Sequence, residues 1–197
     1  DDAFSVASNI SNLMFENISK LHYDEKAGTL VDRFDGNKGT IVTVFDAAYS
    51  IEALRIFQRA IDALPVGYGS ADGAKSLETE QGKRALALIK IQADFLIKNV
   101  KDTNGLYFTS YDLKTGVKTG IEEGTQFAVV RGLTAAFLAT QDKKYRDEAR
   151  KLFVSIEKNM FDKKIGTYVD ASKEYTPYSI GATSGGLRDA ITHLKNE

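Results

Sequence analysis

The stretch DEKAGTLVD, residues 24–32, returns late in the chain as DKKIGTYVD, residues 162–170, with Asp, Lys, Gly, Thr, Val and Asp at identical offsets. A looser third version, Asp102-Thr-Asn-Gly105-Leu-Tyr107, lies between them. Each copy sits after one segment of helical periodicity and before another, so what repeats is helix, loop, helix. Internal self-similarity on this scale marks an array whose units bury their apolar faces on one another.

The flanking segments carry the 3.6-residue stripe of amphipathic helices. About 4–21 holds Val6, Ile10, Leu13, Met14, Ile18 and Leu21 on one side, and about 43–64 holds Val44, Phe45, Ala48, Ile51, Leu54 and Phe57, stopped by Pro65. Further helices are predicted at about 77–101, 124–140, 143–160 and 178–195. Asp142 is placed to cap the fifth, whereas LYFTSYD, 106–112, alternates like a short strand. The predicted fold is all-α: three αα-hairpins, at about 4–64, 77–140 and 143–195, in a curved array with short β-like excursions in the loops. The whole of 1–197 is read as one α/α-hairpin domain, part of a larger protein or a half that pairs with another.

Composition narrows the function classes. The 197 residues hold 26 Lys+Arg against 27 Asp+Glu, a net charge of -1, and the basic residues are spread evenly, so no face is built for nucleic acid. No apolar run reaches the roughly 20 residues of a membrane span. With no cysteine, disulfides, Cys-zinc sites and thiol nucleophiles are excluded. The first residues lack a basic and apolar leader, and the absence of cysteine leans the reading towards an exported protein. The Asn-x-Ser sequons at Asn9 and Asn17 fall on a helix and are read as chance matches. Metal and cofactor chemistry finds little footing: His22 and His193 are far apart, and DRFDGNKG, 32–39, lacks the spacing of a calcium loop and reads as an Asx-type turn. GATSGG, 181–186, is no nucleophile elbow, and VGYGSADGAK, 66–75, has neither P-loop nor dinucleotide spacing.

The run Asp142-Lys-Lys-Tyr145-Arg-Asp-Glu-Ala149-x-x-Leu152, then a helix, then Asp162-x-x-x-Gly166-x-Tyr168, resembles the hairpins of (α/α) toroid proteins, the six-hairpin glycosidase-like folds that include glycoside hydrolases, polysaccharide lyases and sugar epimerases. The resemblance is one of architecture, with no catalytic signature matched position for position. Three hairpins make half of a six-hairpin ring. It implies a saccharide bound or processed in a groove of hairpin loops, and, for an enzyme, glycoside hydrolase-like or lyase-like chemistry. The alternative is a non-catalytic module presenting its loop face or open edge to a protein partner or a second half-ring.

Ligands in that resemblance meet the loops and helix ends at one mouth of the ring. There this chain has Asp46, among Phe45, Ala47 and Ala48, and Glu122, Glu123 and Gln126 at the start of the fourth helix. Asp46 and Glu123 are the candidate acid pair. A hydrolase would hold two such carboxyls about 5–5.5 Å apart for retention or about 6.5–9.5 Å for inversion. Against this, acidic residues in any first helical turn offset the macrodipole. Glu52 and Arg131 fall at matching mid-helix places, as an ion pair or as the lining of a polar groove. Loop aromatics (Phe34, Tyr68, Tyr107, Phe108, Tyr111, Tyr168, Tyr175, Tyr178) suit sugar faces, and Tyr107, Tyr111 and Tyr178 are the candidate ligand rings. Tryptophan, the ring most expected at a saccharide platform, is absent.

Overall fold

The structure, a computed structural model, describes residues 2–63, 75–170 and 176–195. The repeated loops take one shape because they carry the same two local devices. In the first, Tyr23–Asp24 (β1) pairs antiparallel with Thr29–Leu30 (β2), and Gly28 takes φ +68°, a left-handed conformation that disfavours side chains. The Asp24 carboxylate accepts the Ala27 N–H at 2.9 Å. The third loop repeats this with Phe161–Asp162 (β6) against Thr167–Tyr168 (β7), Gly166 at φ +76° and Asp162 accepting the Lys164 N–H at 2.8 Å. The middle copy keeps Gly105 at φ +80° and Asp102 accepting the Asn104 and Leu106 N–H groups. Ile41–Thr43 (β3) from the first loop joins Ser110–Asp112 (β4) and Lys118–Thr119 (β5) from the second in a three-stranded sheet. That sheet ties the two loops together.

Six α-helices follow the predicted order: Ala3–Asn17 (α1), Val44–Ala63 (α2), Glu80–Asn99 (α3), Glu123–Thr140 (α4), Lys143–Met160 (α5) and Pro177–His193 (α6). The first is continued by a π-type turn, Ile18–His22, and the third is preceded by a 3₁₀ turn, Ser76–Glu78. Asp142 caps α5 by accepting the Lys144 N–H at 3.0 Å. The inner layer is α2, α4 and α6, each packed on the next, while α3 lies on α2 and α4, and α5 lies on α4. This is a curved array of three αα-hairpins.

Burial explains the layers. Helix α4, flanked on both sides, buries thirteen of its eighteen residues, whereas α5 is amphipathic and buries one stripe, Tyr145, Ala149, Leu152, Ile156 and Met160. The expected inward stripe of α1 is corrected here. Val6, Ile10, Leu13 and Met14 are exposed, and of α1 only Phe15 is buried, stacked on Phe57 at 4.5 Å. Its counterparts α3 and α5 each rest on the inner helix of the hairpin before, and α1 has no hairpin before it in this chain. Ile191 of α6 is likewise 61% exposed. No helix among the described residues is long and apolar enough to cross a membrane.

Candidate functional site

The inner helices begin at one end of the array, and the same three positions of each build one cleft. These are the residue before the helix (Thr43, Glu122, Thr176), its second residue (Phe45, Gly124, Tyr178) and its third (Asp46, Thr125, Ser179). Thr109 and Asp170 complete a cleft of about 370 Å³, within the roughly 300–1,000 Å³ typical of small-ligand sites. Gly124 leaves its floor open, since a Cβ there would lie 3.2 Å from the Ser179 Cβ.

One wall is aromatic. Tyr178 stacks on Phe45 at 4.2 Å between ring centroids, and Phe45 stacks in turn on Tyr49 at 4.7 Å. Tyr178 remains 62% exposed, so its outer face is open. Its hydroxyl donates to Asp46 Oδ1 at 3.3 Å. Partial burial, followed by the Asp46 carboxylate, pushes the phenol up to about 12, so it is a donor at neutral pH.

The remaining lining is acidic or hydroxylic. Asp46 is exposed, and Glu122, the N-cap position of α4, makes no side-chain capping bond. Asp170 Oδ2 accepts the Glu123 N–H at 3.0 Å, doing at α4 what Asp32 does for α2, where it accepts the Thr43 N–H at 2.8 Å and its hydroxyl. Three helix N-termini thus converge on the cleft, and three carboxylates balance their positive ends. Among the described residues, no Lys or Arg lines it. The Thr109 and Thr125 hydroxyls are buried with no protein partner among the described residues.

The candidate residues separate into distinct places. Asp46, Glu122 and Tyr178 meet in the cleft. Glu123 does not line it; its side chain turns to α6, is 6% exposed and accepts the Thr183 hydroxyl. Burial pushes its carboxyl up, the Thr183 bond offsets part of this, and the Asp170 charge raises it further. A raised native pKa means that ionisation costs stability, a loss that sets in as pH rises from the ordinary carboxylate value, about 4.3. Glu123→Gln is therefore expected to raise the melting temperature at neutral pH, with the gain vanishing below about pH 4; melting curves of both proteins across pH test it.

Gln126 and Tyr107 are both fully buried and bond to one another: Gln126 Oε1 accepts the Tyr107 N–H and its Nε2 donates to the Tyr107 carbonyl, each at 2.8 Å. They hold the second loop to α4 rather than facing a ligand. Arg131 donates to Tyr49 Oη at 3.0 Å and to Asp189 at 3.3 Å, with Glu52 at 3.8 Å, so the expected Glu52 pairing belongs to a three-helix cluster. Tyr111 tilts against Phe95, Tyr168 is buried against Phe127, and Tyr68 and Tyr175 lie outside the described residues. Asp170 was not among the candidates, and its only sequence signal is its place at the end of the repeated motif. Among the described residues, no group of three or more His, Cys, Asp or Glu is arranged to hold a metal.

No protein-family model and no curated protein matches the chain. Solved structures do. A cellobiose 2-epimerase from Bacillus thermoamylovorans superposes with a TM-score of 0.66 at 13% identity, covering 95% of this chain and 48% of that one. A sugar epimerase from a ruminal bacterium gives 0.67 at 17% identity, over 98% and 49%. A GH76 α-mannanase of Bacteroides thetaiotaomicron gives 0.51 at 16% identity, over 74% and 36%. The chain thus spans about half the length of the two epimerases it matches, and its fold is that of the (α/α)6 toroid proteins over about half a ring.

Proposed function

We propose that the cleft at the inner-helix N-termini binds a neutral saccharide. The observation that carries this is the lining itself: three equivalent helix positions place a ring wall, two carboxylates and several hydroxyls around one pocket of about 370 Å³. The open face of Tyr178 suits the C–H face of a sugar ring, with its tilt fixed by stacking on Phe45 and by the bond to Asp46. Asp46 and Glu122 accept from sugar hydroxyls, and charge-assisted bonds of this kind are the stronger ones. The carboxylates that line the cleft, Asp46, Glu122 and Asp170, favour a neutral sugar over an acidic one. The similar solved structures, two sugar epimerases and a mannanase, support the same ligand class.

The test is ligand-observed NMR against a panel of neutral oligosaccharides that includes cellobiose and mannooligosaccharides, with a uronate oligomer for contrast. At least one neutral member is expected to bind, and Tyr178→Ala and Asp46→Ala are each expected to weaken it about tenfold or more, about 1.4 kcal/mol. Failure of the whole neutral panel, or binding that survives both substitutions, would overturn the reading.

A further inference from the structure

The ring wall of the cleft is anchored behind Tyr49. There the Arg131 guanidinium lies over the Tyr49 ring, 5.1 Å from its centroid, and donates to the Tyr49 hydroxyl at 3.0 Å. The cation is attracted to the ring face, and the bond at the rim fixes how the ring is turned. Tyr49 stacks on Phe45 with only 7° between the planes, and Phe45 stacks on Tyr178 at 27°. Phe45 is only 7% exposed, so it cannot swing out of the stack. Three rings thus run from a charged interior to the open face of Tyr178, where the bond to Asp46 clamps the far end.

Arg131 of α4 is itself fixed from both neighbouring helices. Phe45, Tyr49 and Glu52 follow one another at intervals of four and three, so α2 presents two rings and a carboxylate along one face. On α6, Asp189 accepts from Arg131 Nε at 3.3 Å, while Glu52 of α2 lies 3.8 Å from the guanidinium. Gly185 supplies the room, since a Cβ there would fall 2.9 Å from Arg131 Nη1. The Arg131, Glu52 and Asp189 side chains are each less than one-fifth exposed, so salt screens them far less than it would a surface pair. Arg131 is not among the described residues that line the cleft. Its influence on a ligand there passes through the rings.

We infer that Arg131 is a positioning residue that sets the tilt of Tyr178 through Tyr49 and Phe45, so that the ring wall is formed before a ligand arrives. The effect on affinity rests on the cleft being a saccharide site; the effect on Tyr178 does not. A pre-formed wall strengthens binding because apparent affinity falls with the fraction of the protein held in the competent arrangement. Lysine is no substitute at such a place: it keeps a charge for Asp189 and Glu52 but offers no planar group to the Tyr49 ring.

Fluorine NMR of fluorotyrosine-labelled protein, with the Tyr178 resonance assigned through Tyr178→Phe, reads the ring without any ligand. Arg131→Lys is expected to move the Tyr178 resonance towards its position in the unfolded chain while the melting temperature stays within about 4 °C. The same variant is expected to weaken the neutral saccharide that the panel identifies about fivefold. Tyr49→Leu, which keeps the ion pairs of Arg131 and removes the ring it holds, is expected to move both readouts in the same direction, and it decides the matter should Arg131→Lys fail to fold. A Tyr178 resonance unmoved by the substitutions, or a saccharide bound with undiminished affinity by them, would overturn the positioning role. A Tyr178 resonance that moves while no saccharide binds the unsubstituted protein would instead uphold the stack and overturn the saccharide reading.

Discussion

Gln126→Leu is expected to lower stability by about 2–6 kcal/mol, because it leaves two buried backbone groups without partners at roughly 1–3 kcal/mol each. The Gln126 amide bonds both the N–H and the carbonyl of Tyr107, and its Nε2 also donates to the Glu122 carbonyl at 3.0 Å. Leucine matches the volume but none of these bonds. The Tyr107 ring is fully buried, with its hydroxyl held far above the ordinary tyrosine range by burial and then by the Glu148 charge. Loss of its backbone anchor therefore releases a core aromatic and not merely a surface loop. Urea unfolding should show a lower midpoint with an unchanged slope; a loss under about 1 kcal/mol would mean that the amide anchors nothing.

Gly132→Val is expected to cost about 3 kcal/mol, the upper range for overpacking. The obstacle is backbone, the Ala48 carbonyl, which has no rotamer by which to yield. A β-branched side chain is also stiff at χ1 and cannot swing clear. Helices α2 and α4 would have to separate along the seam that holds the cleft together. Gly132→Ala separates propensity from packing: alanine gains about 1 kcal/mol of helix propensity over glycine, so a net loss would isolate the steric cost. Thermal and urea unfolding of the two variants check the order, Val losing more than Ala.

The helices were legible because amphipathic stripes and caps are local signals, as at Asp142 and Lys144 in α5. The loops were legible because Gly28, Gly105 and Gly166 take the left-handed φ that a turn glycine three or four residues after an Asp favours. What failed was the reading of which partner an apolar or polar face meets. The stripe of α1 has the period of a buried helix, yet Val6, Ile10, Leu13 and Met14 stay exposed. Glu122 and Glu123 are neighbours in sequence, but Glu122 keeps the extended backbone of an N-cap while Glu123 opens the helix, and one carboxylate goes to the cleft and the other to Thr183. Gln126 has the composition of a ligand contact and serves as a loop anchor, a choice fixed by where Tyr107 folds back, some twenty positions away. Asp46 and Tyr178, 132 positions apart, meet only because α2 and α6 start at one end.

Helices α4 and α5 are joined by only Gln141 and Asp142, with Gln141 at φ 58°, whereas about twenty residues, 100–122, run from α3 to α4 on the opposite side. The scaffold is therefore lopsided in what it tolerates. Exchanged or lengthened segments at the wide side would retailor what is captured there while the helical chassis stayed put, whereas the narrow side leaves no slack for insertion. A grafting campaign aimed at new ligands should splice at the exposed turn 114–117, keep the Tyr107 anchor, and leave the Gln141–Asp142 joint untouched.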